Sequence, residues 1–143
     1  MGTGVASACV LVWAMVLCAY DIRERRLPNW LTIPGAVAIL TVAAAIGHGT
    51  PAAVGAVSLV GLYLVVHLIA PAGMGAGDVK LAAGLGGLTG AFGVDVWALA
   101  ALAAPLLTAA WACVALVRRS NSTVPHGPSM CLATLAATML AIF

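Results

Sequence analysis

A chain of 143 residues that is 64% hydrophobic and 7% charged, with a mean hydropathy of +1.15, cannot clothe a soluble surface. That length suits about six short-looped membrane helices, so residues 1–143 read as a single membrane-embedded domain without a sizeable soluble one. The formal net charge of +2 gives no footing for a nucleic-acid partner; where the charges fall matters more than their sum.

The first apolar run extends from Thr3 to Tyr20. It lacks the basic region that opens a cleavable signal peptide, and Arg23, Arg25 and Arg26 follow it instead. That is the pattern of a retained anchor with its N-terminus outside. A second run spans Leu31 to Gly47, and Gly47 to Pro51 reads as a turn. The third covers Ala52 to Ala70 and stops before Pro71. The fourth starts near Val79 and fades between Ala91 and Gly93. The fifth covers Val96 to Val117 and the sixth Ser129 to Phe143. The expected fold is therefore all-α, a polytopic membrane protein of about six helices. Small residues crowd these runs, and Gly84-Leu85-Gly86-Gly87 predicts a close helix contact just beyond Asp78. The four cysteines, Cys9, Cys18, Cys113 and Cys131, form no CxxC pair and read as small apolar side chains. His48, His67 and His126 are scattered without metal-ligand spacing, so neither metal nor cofactor is expected.

Six spans put successive loops on alternate sides. The basic residues Arg23, Arg25, Arg26, Lys80, Arg118 and Arg119 all fall in or beside loops one, three and five. The positive-inside rule assigns that side to the cytoplasm and both termini to the outside. The arginines of loop one are expected to face anionic lipid headgroups.

The acids are rarer still: Asp21, Glu24, Asp78 and Asp95. Asp21 and Asp78 each sit where an apolar run meets a polar stretch, at the end of helix one and the start of helix four. A carboxylate near lipid is costly unless hydrated, paired or protonated, which makes both functional candidates. Behind Asp21, Pro28 suits a helix entrance, with Asn29 or Thr32 as its cap. Gly75-Ala76-Gly77-Asp78-Val79-Lys80 supports two readings. In one, the glycines clear an approach to Asp78 for a peptide backbone. In the other, the segment is a flexible loop with Asp78 capping helix four. Lys80 reads as a topological anchor that also biases the charge of Asp78.

Three segments resemble the type IV prepilin peptidases, membrane aspartyl proteases of the GxGD kind. Asp21 followed by Arg25, Pro28-Asn29 and Leu31-Thr32 looks like the family's first-aspartate motif. Gly75-Ala76-Gly77-Asp78-Val79-Lys80 fits GxGDxK. Pro125-His126-Gly127-Pro128 resembles PxGP, usually PFGP, with His126 in place of the aromatic. The motifs keep the family's order along most of the chain. The resemblance implies catalysis by Asp21 and Asp78, with Arg25, Pro28, Asn29, Gly75, Gly77 and Lys80 as motif residues around the substrate. It implies an inner (cytoplasmic) membrane and removal of a short basic leader from a prepilin or pseudopilin at the cytoplasmic face. Nothing here resembles the four-cysteine, N-methylating region of larger members, so the likeness is to the short, peptidase-only form. If the two acids meet, they should hold one proton between them and activate a water. A presenilin-like protease is disfavoured because no Pro-Ala-Leu tripeptide occurs. The competing readings from other classes are a small proton-coupled transporter and a non-catalytic membrane scaffold.

Overall fold

The computed structural model describes residues 2–120 and 123–142. It contains six helices: α1 (Gly2–Glu24), α2 (Asn29–Ala45), α3 (Gly49–Ile69), α4 (Ala76–Phe92), α5 (Val94–Val117) and α6 (Gly127–Ile142). The protein is an all-α membrane protein. Helices α1, α3 and α5 have the length and apolarity to cross a bilayer, and α2 and α6 are shorter apolar helices. Large apolar side chains such as Val57, Leu68 and Val117 point outward, a surface suited to lipid.

The helix starts fall earlier than the apolar runs imply. Helix α3 begins at Gly49, so Pro51 lies in its first turn, where a missing N–H costs nothing. The turn before it shrinks to Ile46–His48, with Gly47 at φ +85°. Helix α4 begins at Ala76, which brings Asp78 into its first turn and Lys80 just beyond it rather than into a loop. Helix α2 opens after Pro28, in extended conformation, and neither Asn29 nor Thr32 caps it. The Thr32 hydroxyl donates back to the Pro28 carbonyl at 3.2 Å instead. Phe143, the expected end of the sixth run, lies outside the described residues.

Helices α3 and α4 form the closest pair. A Cβ on Gly55 would come within 2.4 Å of the Gly86 carbonyl oxygen, and one on Gly86 within 2.6 Å of the Gly55 carbonyl oxygen. Only hydrogen fits at either place, so the glycine run sets the contact through backbone rather than side chains. The Trp97 indole ties α5 to the same seam, donating to the Gly55 carbonyl at 3.0 Å. Leu17, Leu81, Leu85 and Met130 fill the centre of the bundle. Buried hydroxyls at Thr89 and Thr138 donate to carbonyls one turn back, which removes unpaired donors from an apolar interior.

Contacts between distant residues show which ends lie together. The His48 Nδ1–H donates to the Ala91 carbonyl at 2.8 Å, joining the α2–α3 turn to the end of α4. At the opposite end, Lys80 Nζ donates to Asn29 Oδ1 at 2.8 Å, and the Gly127 amide meets the Asp21 carboxylate. Tyr20 and Trp30 pack edge to face there, their ring centroids 5.9 Å apart, as amphipathic rings do at a membrane–water boundary.

Candidate active site

Asp21 lies in the last turns of α1 and Asp78 in the first turn of α4. Both are nearly enclosed, at 8% and 7% exposure. Asp78 lies within reach of the charge on Asp21, and neighbouring Cys131 feels both. The two acids therefore occupy one locality at one end of the bundle.

Each carboxylate is fastened to the amino end of a helix. Asp78 Oδ2 accepts the Gly75 N–H at 3.2 Å, across the first turn of its own helix. The Gly75 carbonyl accepts the Asp78 N–H at 3.1 Å in return. Asp78 is thus the third helical residue, reaching back to the chain entry, rather than the cap itself. Asp21 sits near the carboxyl end of α1, where exposed carbonyls disfavour a negative charge. Its Oδ2 accepts the Gly127 N–H at 2.9 Å, so the amino end of α6 supplies what α1 cannot. Gly127 is buried, and a Cβ there would lie 2.6 Å from that same oxygen. In both acids the fastened atom is Oδ2.

The segment between α5 and α6 is clasped at several points. The Arg25 guanidinium donates to the Thr123 carbonyl and, at 2.8 Å, to the Thr123 hydroxyl. Arg25 takes φ +53°, outside the usual range for a side-chain-bearing residue, and its N–H donates to the Asp21 carbonyl at 3.1 Å. Arg25 thereby ties the end of α1 to the segment that delivers Gly127. Further along, His126 lies between Tyr63 of α3 and Thr108 of α5, 3.0 Å and 2.6 Å from their hydroxyl oxygens. The other approach is clasped too, where the His67 Nδ1–H donates to the Met74 carbonyl at 2.7 Å just before Gly75.

The remaining motif residues divide. Gly75 borders the acid, with a Cβ there 3.5 Å from Asp78 Oδ2. Gly77 does not: a Cβ on it would meet Leu27 Cβ at 3.0 Å, so its missing side chain makes room for loop one. Lys80 lies two residues beyond Asp78, which on a helix is a different face, and its ammonium is engaged by Asn29. Pro28 caps α2 through its backbone, and Asn29 joins the start of α2 to α4 through Lys80. Four residues escaped the sequence reading as parts of the site: Gly127, Thr123, Tyr63 and Thr108. Only Gly127 carried a signal, as the glycine of Pro125-His126-Gly127-Pro128. An apolar groove of about 370 Å³ runs beside Val79 and Lys80, between α2 and α4, with Ile33, Val37 and Ala83 among its walls.

Neither a curated protein nor a solved structure matches the chain. The model of the Type IV leader peptidase family matches residues 8–143, which takes in both aspartates, the glycine approach to Asp78 and the loop that holds Asp21. With nearly the whole chain covered, this protein belongs to the Type IV leader peptidase family.

Proposed function

We propose that the protein is an aspartyl endopeptidase that removes the short basic leader of a type IV or Flp-type prepilin at the cytoplasmic face of the inner membrane. Family membership supports leader peptidase activity in general. The observation that supports the specific reading is that two enclosed carboxylates, Asp21 and Asp78, lie at one end of an otherwise apolar bundle, near enough for the charge of one to act on the other.

Two carboxylates in reach of each other share a proton rather than ionise together. The ionised member takes a proton from a water, whose oxygen attacks the scissile carbonyl. The protonated member hydrogen-bonds to that carbonyl oxygen as negative charge develops, and a proton then passes to the leaving amine. Such titration belongs to the pair, not to one residue. The Gly75 and Gly127 amides hold both carboxylates in place during proton exchange, and no step calls for a cofactor. The substrate's apolar segment lies along the groove beside Val79 and Lys80, which brings its leader junction to the acids. Acids grouped at one end suit surface proteolysis better than a proton relay, which needs polar groups across the membrane.

The test is co-expression with candidate prepilins, read by precursor size and N-terminal sequencing. Asp21→Asn and Asp78→Asn should each abolish leader removal at wild-type membrane abundance, and the double variant should be no worse than either single one. Substantial processing by either single variant would refute the paired mechanism.

A further inference from the structure

His126 stands where the resembling motif usually carries a phenylalanine, and its ring does more than fill space. Its centroid lies 5.5 Å from that of Tyr63, with the planes tilted by 37°. Nδ1 lies 2.6 Å from the Thr108 hydroxyl, which is itself 3.1 Å from the Ala104 carbonyl, and Nε2 lies 3.0 Å from the Tyr63 hydroxyl. A neutral ring carries one proton on these two nitrogens, so it donates to one hydroxyl and accepts from the other. Burial pushes the His126 imidazole below its ordinary range, which keeps it neutral near pH 7.

The next peptide bond is the one that matters to the site. The N–H of the His126–Gly127 peptide is the donor on Asp21 Oδ2. The His126 carbonyl accepts the Met130 N–H at 3.0 Å and so starts α6. An imidazole clamped on two sides fixes the rotation of that peptide.

We infer that His126 is a positioning residue, whose neutral ring, clamped between Tyr63 and Thr108, aims the Gly127 amide at Asp21. The inference rests on the peptidase reading given above. Its chemistry also makes the site sensitive to acid. A doubly protonated ring has no acceptor left, so the hydroxyl bond it had accepted must break or turn round, and the peptide loses one side of its clamp. The ring itself faces the Tyr63 hydroxyl from α3 and the neutral Thr108 from α5, while Asp21 and Arg25 from the end of α1 meet the same loop at Gly127 and Thr123.

The test uses the full-length protein in detergent or liposomes with a purified prepilin, comparing wild type with His126→Ala, His126→Phe and Thr108→Val. His126→Ala should lower kcat by about tenfold while leaving KM within about twofold, because the loss falls on the aim of an acid rather than on substrate contact. His126→Phe keeps the ring contact with Tyr63 and should recover part of kcat, with the acid limb of its pH profile moved to lower pH. Thr108→Val tests the clamp without touching the loop. It should lower kcat in the same sense, and combined with His126→Ala it should add nothing. Wild-type kcat in both His126→Ala and Thr108→Val, or an acid limb unmoved in His126→Phe, would overturn the inference while leaving the peptidase reading intact. Failure of the wild-type protein to cleave any prepilin would end both.

Discussion

Gly127→Ala tests how tightly Asp21 is held. Gly127 does not occupy the left-handed region, so alanine can take its backbone conformation, and at the first turn of a helix the change is intrinsically neutral or stabilising. The whole effect therefore falls on the contact. The new Cβ would sit 2.6 Å from Asp21 Oδ2 and 3.1 Å from its Cγ, against ordinary contacts that begin near 3.4 Å. To restore such a contact the carboxylate must retreat by about 0.8 Å, roughly the scale of error that costs on the order of 100-fold in rate. The Gly127 N–H bond stretches with it, and a hydrogen bond to a charged group contributes about 1.5–3 kcal/mol. We expect kcat for leader removal to fall by about 100-fold while membrane abundance and elution in detergent stay normal. The assay is conversion of precursor to mature pilin over time at several substrate concentrations. Cleavage within about threefold of wild type would refute the account of Asp21 as an acid fixed from behind by α6.

Two further substitutions separate stability from chemistry. Lys80→Ala should lower cleavage by no more than about threefold with an unchanged pH profile, because the ammonium is engaged by Asn29 on an exposed face; a displaced profile would show that its charge reaches Asp78 after all. Gly86→Val drives a branched side chain toward the Gly55 carbonyl, a backbone atom that no rotamer change can move, and should cost about 1–3 kcal/mol or more of stability. A thermal unfolding midpoint equal to wild type would contradict the backbone seam between α3 and α4.

The sequence made the helices legible because a membrane leaves the backbone few alternatives. It made Asp21 and Asp78 legible because carboxylates are conspicuous among so few charges. What it hid were relations between distant residues. Gly75 and Gly77 look equivalent in the motif, yet one borders Asp78 and the other makes room for Leu27. Arg25 looks like any arginine of a cytoplasmic loop until Thr123 is placed beside it. Tyr63 and Thr108 are scattered polar residues in apolar runs, and nothing local distinguishes them from Thr89 and Thr138, which bond only within their own helices. The histidines that spacing left without a role turn out to be three separate clasps, each on a different connection.

These clasps explain why the segment before α6 belongs to the site as fully as the two acidic motifs do. Asp78 is carried by α4, and the glycine seam locks α4 to α3, so its position is set by backbone contact. Asp21 rides on α1, which is anchored by Trp13: its indole donates to the Leu31 carbonyl at 2.9 Å and fills the notches left by Gly35 and Gly84. Helix α1 packs on α6 and, less extensively, on α2, and α2 is packed in turn on α4. Along the first route the Asp21 carboxylate meets α6 at the Gly127 amide, held by its loop. Along the second the connection passes through Trp13, which joins α1 to α2 at Leu31 and touches α4 at Gly84, and through the short link from Arg25 to Pro28. Arg25 joins the two routes by reaching from the end of α1 to Thr123. A chain with few polar side chains has spent several of them on this one alignment. That is the expected economy if the function depends on the separation of two carboxylates and on little else.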